Sequence, residues 1–416
     1  MPARLRAAQL DPESQALLRY LNLLAPRADK GAFDLRRMRQ RWSVLARLAG
    51  RRVPVAAVEN RSIEGPDGPL RLRIFRPQRP QVAATGRPPP VFMWFHGGGF
   101  VVGGIATADS ICRNIAARSG AVVVTAQYRL APEHHLHAGR EDSLAVLDWI
   151  VAHAAELGVD AERIAVGGDS AGGNLAAVLA QQAARRGHPA LRLQVLAYPA
   201  TNLRDRFASY TENADGYLLT AANIDWFESL FGRNVDASEP LVSPALASKL
   251  ADVAPALIVS AGFDPIRDDG LGYAGLLRAA RVPVQLLHYG GQFHGFINFD
   301  AVLRSARDAL DRIADALADA FAEDHARTPD RTREIGIEAR LPIPVGRAVR
   351  DLWVGSLMLA EWAEQKRNGL LAAALPAALR PAGWIAHPLV NPATLLRAQW
   401  AAALTRLDVR ETYGSS

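Results

Sequence analysis

Six short, predominantly apolar runs limit how this chain can fold more than any other feature. They are "VFMWF" (91–95), "AVVVTAQ" (121–127), "RIAVG" (163–167), "LRLQVLAY" (191–198), "ALIVS" (256–260) and "VQLLHY" (284–289), with longer stretches of helical periodicity between them. A strand with one wet face alternates apolar and polar residues, whereas a strand covered on both faces can be apolar throughout. The runs therefore predict a mainly parallel sheet wrapped by helices, an α/β architecture. Upstream, "VAAVENRSIEGPDGPLRLRIFRP" (55–77) reads as two more strands around a Gly-Pro turn, eight in all.

The flanks divide the 416 residues further. Leu17, Leu18, Leu21, Leu24, Met38, Leu45 and Leu48 mark an apolar helical stripe, so residues 1–52 are expected to form a helical cap segment. Residues 53–323 would hold the sheet, interrupted at 203–234 by a polar and aromatic insertion that reads as a lid. The charged and then Pro-punctuated stretch 324–346 reads as a linker. Residues 347–416 carry Trp353, Trp362, Trp384 and Trp400, half of the eight tryptophans, and are expected to form a helical appendage rather than a disordered tail.

Charge and cysteine usage narrow the function classes. The formal net charge of +6 comes almost entirely from arginine, the only lysines being Lys30, Lys249 and Lys366. "LRRMRQRW" (35–42), followed by Arg51 and Arg52, is the one dense cluster; it is a solvated helix face or a contact for an anionic surface or ligand. No nucleic-acid-binding module is visible, which sets nucleic acid aside as a partner. Cys112 stands alone, so an internal disulfide and a cysteine metal cage are excluded. The first residues carry no apolar signal segment, and no run reaches the roughly 20 apolar residues of a membrane span. A cytoplasmic location is expected.

The chemistry is concentrated in "GGDSAGGN" (167–174), between the strand "RIAV" and a helical stretch. Gly168-Asp169-Ser170-Ala171-Gly172 fits G-x-S-x-G, in which a tight strand-to-helix turn lifts the serine clear of its own backbone. Only small residues fit two places to either side. Ser170 is the candidate nucleophile, and a hydroxyl needs a base. Chain order in such sheets is serine, acid, histidine. His294, in "YGGQFHGF" just past the last expected strand, is the candidate base. His288 lies inside that strand, and His325 and His387 fall beyond the core. Asp264, first in the loop after "ALIVS", is the candidate orienting acid, with Asp268 and Asp269 assigned to the first turn of the next helix, where acids suit the dipole. "FHGGGF" (95–100) ends a strand with three glycines able to turn N–H groups inward, and with the Ala171 N–H it offers an oxyanion hole. His96 then supports that loop. No metal or cofactor is called for.

Together "HGGGF", "YRLAPEH" (128–134), "GDSAGGN", "SAGFDPIRDDG" (260–270) and "HGF" resemble the hormone-sensitive-lipase group of α/β-hydrolases, the bacterial family IV esterases. The resemblance covers about residues 10–320. It implies an eight-stranded α/β-hydrolase core under a helical cap, oxyanion donors at Gly98 and Gly99, and hydrolysis of small-molecule carboxylic esters with short to medium acyl chains. Lactones, amides and acyl transfer to another acceptor stay open. The chain departs from the family at "HLHAG" (135–139), where a proline is usual, and in the tail after about 324. A non-catalytic binding protein on the same scaffold is the alternative, but such relatives have typically lost a triad member and all three positions are filled here. "HPLVNPATLLRAQWAAALTRLDV" (387–409) reads as an amphipathic helix, similar to segments of phasins and polyhydroxyalkanoate synthases. That likeness implies docking on a lipid, granule or membrane surface; packing on its own core or forming a homodimer is the other reading.

Overall fold

The computed structural model describes residues 1–24, 34–81, 86–231, 235–322, 328–339, 355, 356, 363 and 405–412. Among them, strands β1 (Ala57–Gly65), β2 (Gly68–Arg76), β3 (Val91–Phe95), β4 (Val122–Ala126), β5 (Ile164–Asp169), β6 (Leu191–Ala197), β7 (Ala256–Phe263) and β8 (Val284–Phe293) are the eight expected from the sequence. Two more, β9 (Arg331–Ala339) and β10 (Thr405–Thr412), extend the sheet to ten, in the order β1-β2-β4-β3-β5-β6-β7-β8-β9-β10. Strands β1 and β2 pair as an antiparallel hairpin, β2 pairs antiparallel with β4, and β4 through β9 are parallel.

Both faces of the sheet are covered, and β3 shows why its sequence is apolar without alternation. Phe92 and Trp94 enter one core, which they share with helices α1 (Pro12–Leu24), α3 (Ile105–Ser119) and α10 (Arg304–Phe321). Val91, Met93 and Phe95 enter the other, against α4 (Ala138–Ala152), α6 (Ala171–Arg186) and α9 (Arg267–Ala279). Successive side chains point to opposite sides of a strand, so two covered faces demand an apolar residue at every position.

The insertion forms α7 (Ala208–Glu212) and α8 (Ala221–Leu230), the latter opened by a reciprocal capping box between Thr220 and Asn223. Trp226, Phe227, Leu230 and Phe231 pack with Leu35, Met38 and Trp42 of α2 (Leu35–Ala49) over Val101, Val102 and Ala131. The insertion and α2 therefore share one apolar cluster.

Two expectations need correction. Residues 331–339 are not linker: β9 lies parallel to β8, reached through α10, with Thr332 and Ile335 buried. In its sequence, "RTREIGIEA", only the second half sets apolar Ile335, Ile337 and Ala339 at period 2, and the charges around them obscure it. Within the expected amphipathic helix, 405–409 belong to β10, antiparallel to β9. "RLDVR" alternates with period 2 there, and pairing with β9 satisfies its backbone. Apart from β10 and residues 355, 356 and 363, the expected appendage lies outside the described residues. Among the described residues no helix is long and apolar enough to cross a membrane.

Candidate active site

Strand order reverses at β3, which sits between β4 and β5. Connections leave such a switch point in opposite directions and open a crevice at the carboxyl ends of the strands. The glycine loop leaves β3 here and the elbow leaves β5, with Phe95 and Gly168 as register partners.

Ser170 occupies a strained conformation, φ 57° and ψ −118°, at the N-terminus of α6. The approach is close enough to exclude any side chain. A Cβ on Gly168 would lie 2.3 Å from the Gly172 carbonyl carbon, and one on Gly172 would lie 2.0 Å from the Phe95 carbonyl oxygen. The Ser170 N–H donates to the Ala197 carbonyl on β6 at 2.9 Å, which anchors the turn.

His294 and Asp264 follow directly on β8 and β7, whose last paired residues are Phe293 and Phe263. Parallel pairing of neighbouring strands thus sets the two side chains next to each other. His294 Nε2 is 2.9 Å from Ser170 Oγ, and His294 Nδ1 is 2.8 Å from Asp264 Oδ2. Asp264 is fully buried, and its Oδ1 accepts the Ile266 N–H at 2.8 Å. A buried carboxylate held from both oxygens fixes the tautomer that leaves the Nε2 lone pair facing the serine. Asp268 and Asp269 do fall in the first turn of α9. They bind the insertion and the residue before it, Asp268 accepting the N–H of Ser209 (2.9 Å) and Asp269 that of Asn202 (3.3 Å). His288 faces Ser260 Oγ at 2.8 Å inside the sheet, and burial pushes its pKa down to about 4.

The loop after β3 is built to present amides. Gly98 and Gly99 have φ of 122° and 58°, values that favour glycine. Their N–H groups donate no hydrogen bond within the described residues, and that of Ala171, first in α6, has no helical carbonyl before it. His96 is buried in this loop: burial pushes its pKa down to about 4, its Nδ1 sits 2.8 Å from the Gly97 carbonyl, and its ring stacks on Tyr128 at 4.2 Å. Tyr128, in "YRLAPEH", donates its hydroxyl to the His96 carbonyl at 2.7 Å.

Several contributors went unread in the sequence. Asp169 Oδ1 accepts the Gly97 N–H at 2.9 Å and its Oδ2 accepts from Asn298 Nδ2 at 3.2 Å, so one buried carboxylate ties the elbow to the glycine loop and to the turn after His294. Burial raises its pKa. Tyr198 stands beside the imidazole, ring centroids 4.7 Å apart. Phe227 of α8 roofs the loop, its ring 2.6 Å from where a Gly99 Cβ would be. Only Asp169 carried a local signal, its place inside the elbow; the others come from distant segments. Among the described residues, no cluster of three or more His, Cys, Asp or Glu side chains could hold a metal ion.

A serine, an imidazole and a carboxylate in series beside unpaired amides can transfer an acyl group. Comparisons with known proteins bear on the fold and the activity. Residues 92–298 match a family model described as the alpha/beta hydrolase fold. An esterase of Mycobacterium tuberculosis, LipI, is 41% identical over 62% of this chain and 81% of its own length. An ethyl acetate hydrolase of Pseudomonas putida is 37% identical over 69% of this chain and 89% of its own. Among solved structures, an esterase of Pyrobaculum calidifontis superimposes with a TM-score of 0.68 at 38% identity, covering 74% of this chain and 98% of that one.

Proposed function

The chain belongs to the α/β-hydrolase family, in its hormone-sensitive-lipase-like esterase group, and on that premise we propose that Ser170, His294 and Asp264 hydrolyse short- to medium-chain carboxylic esters through an acyl-enzyme. It is a carboxylic ester hydrolase, the activity shared by the names of its relatives, and its substrates are small-molecule esters. The observation that carries the residue assignment is the unbroken chain Ser170 Oγ to His294 Nε2, His294 Nδ1 to Asp264.

The Ser170 hydroxyl donates to His294 Nε2, which takes the proton as Oγ attacks the ester carbonyl. Asp264 accepts the Nδ1–H and stabilises the imidazolium. Charge collecting on the former carbonyl oxygen is held by the N–H groups of Gly98, Gly99 and Ala171, each donor typically contributing about 3–4 kcal/mol to the transition state. The imidazolium then returns its proton to the leaving alkoxide, freeing an alcohol and leaving Ser170 acylated. Water enters, His294 deprotonates it, and the second tetrahedral adduct collapses to carboxylic acid and free serine. The protons balance with these groups alone. Ser170→Ala should abolish turnover of p-nitrophenyl butyrate and labelling by a fluorophosphonate while leaving the unfolding midpoint unchanged; undiminished hydrolysis in a folded variant rules out the assignment.

Residues 347–416 contribute none of these groups; apart from β10, which pairs with β9, we assign them to attachment: to a lipid, granule or membrane surface, or to a second copy of the chain. Removing them should abolish granule or vesicle co-sedimentation, or dimerisation, without lowering kcat; unchanged sedimentation and mass would end that reading. The single, buried thiol of Cys112 needs no oxidising compartment, which supports a cytoplasmic location, testable by cell fractionation.

A further inference from the structure

Away from the catalytic crevice, the C-terminal turn of α2 and the residues after it meet β2 and α3 around an open cavity of about 270 Å³. Its wall carries Arg47, Arg51, Arg52 and Arg73 against a single acid, Asp109. None of the proposed catalytic or oxyanion-hole residues lines it.

The nearby carboxylates are already committed. Asp109 Oδ1 accepts from Arg73 at 3.1 Å and its Oδ2 from Arg113 at 2.6 Å. Asp300, fully buried behind the wall, takes the backbone N–H and the Nε of Arg51, at 2.9 and 2.8 Å. Arg52 is left over. It makes no hydrogen bond and no ion pair within the described residues. Although Arg52 is exposed, its pKa is lowered by desolvation and by the guanidiniums of Arg113 and Arg73, against the pull of Asp109. An exposed guanidinium with no ion-pair partner among the described residues, beside Arg73 and Arg113, leaves a positive field at the mouth of the cavity.

The frame of the cavity is stiff. A Cβ on Gly50 would lie 2.5 Å from Ser110 Cβ, so the end of α2 rests directly on α3. Ser110 Oγ sits 2.9 Å from the Arg51 carbonyl and 2.7 Å from Asp300 Oδ1, and Asn114 bridges Arg51 and Asp300. Beyond Arg73 and Ala106, which line both, a second groove of about 550 Å³ continues along the β1–β2 hairpin and adds Arg61 and Arg71. Arginine forks fit tetrahedral oxyanions, to which they donate two parallel N–H bonds. The neighbouring groove leaves room for an organic substituent on that anion.

We propose that this cavity is a binding site for a phosphate monoester, its anion held by Arg52 with Arg47 and Arg73 and its organic part lying in the adjoining groove. The ligand is a free small phosphate ester or the headgroup of a phosphomonoester lipid. Glycerol 3-phosphate titrated into the full-length chain by calorimetry tests the first source, and co-sedimentation with phosphatidylcholine vesicles with and without phosphatidic acid tests the second. Arg52→Ala should weaken whichever binding occurs by about tenfold or more, the loss expected for a charge-assisted pair. It should leave p-nitrophenyl butyrate turnover and the unfolding midpoint unchanged. Saturable binding of glycerol 3-phosphate that depends on Arg52 supports the site and a free ligand; Arg52-dependent binding to phosphatidic acid vesicles alone supports it with a lipid headgroup. No saturable binding to either probe, or binding equal in wild type and Arg52→Ala, overturns the proposal. Because the readout is binding, Ser170→Ala should retain it, which separates this test from that of the catalytic assignment.

Discussion

Replacing Gly172 by alanine tests the link between the elbow and the oxyanion loop. The added Cβ would stand 2.0 Å from the Phe95 carbonyl oxygen, 2.5 Å from its carbonyl carbon and 2.7 Å from the His96 carbonyl oxygen. All three are backbone atoms, so no side-chain rotation relieves the clash. Reaching even a tight contact of about 3 Å requires the two segments to separate by roughly 1 Å, and overpacking of this kind costs about 1–3 kcal/mol of stability. The segment pushed away leads straight into Gly98 and Gly99, while Gly172 is two residues from Ser170. A misplacement of about 1 Å between nucleophile and oxyanion donors costs on the order of 10²-fold in rate. Gly172→Ala should therefore lower kcat for p-nitrophenyl butyrate about a hundredfold and shift urea unfolding by the stated amount. Gly272 is the control: it lies in α9 with nothing within 4 Å of its built Cβ. Alanine there should stabilise the fold by about 0.5–1 kcal/mol and leave kcat unchanged. Wild-type kcat and stability in Gly172→Ala would show that the Phe95–His96 backbone yields freely, and the account of the elbow would be wrong.

Asp264→Asn keeps the size of the side chain but removes the charge that opposes the imidazolium and permits the wrong tautomer; kcat should fall by about 10³- to 10⁴-fold with a small change in KM, and a loss under tenfold would contradict the role given to Asp264. Acid should destabilise the fold through its buried histidines. His96 and His288 are held at about 4 in the folded chain and return to 6.5 when it unfolds. The unfolded state thus binds the extra protons, and the stability these two groups contribute is complete above about pH 6.5 and declines as pH falls towards 4. Between pH 7.5 and pH 5 each should cost about 2 kcal/mol. Urea unfolding of His288→Gln should show a pH-dependent loss smaller by that amount; an identical slope would mean His288 is not buried in its neutral form.

Much of the core and of the candidate site was legible because its signals are local. An apolar run such as "VFMWF" reports two covered faces through five neighbouring residues, and "GDSAG" reports a turn that only small residues can make. Asp264 and His294 were readable because parallel strands deliver their following residues to one edge, so position just after a strand stands in for position in space. The same logic failed for β9 and β10. Their charged residues lower the mean hydropathy of the stretch, and "RLDVR" was absorbed into the helical pattern before it.

Local pattern and chain order thus determined eight strands of the sheet, the elbow, and the placing of Ser170, Asp264 and His294 just after strands. Tertiary structure decided what depends on distance between remote segments: that Asp169 ties Gly97 to Asn298, that Phe227 closes over Gly99, and that His96 and His288 stay neutral. It also left Arg52 without an ion-pair partner among the described residues, a fact that no reading of "GRRVP" contains. Hydrogen-bond partners, burial and the local field are properties of neighbours in space, and most of those neighbours lie far away along the chain.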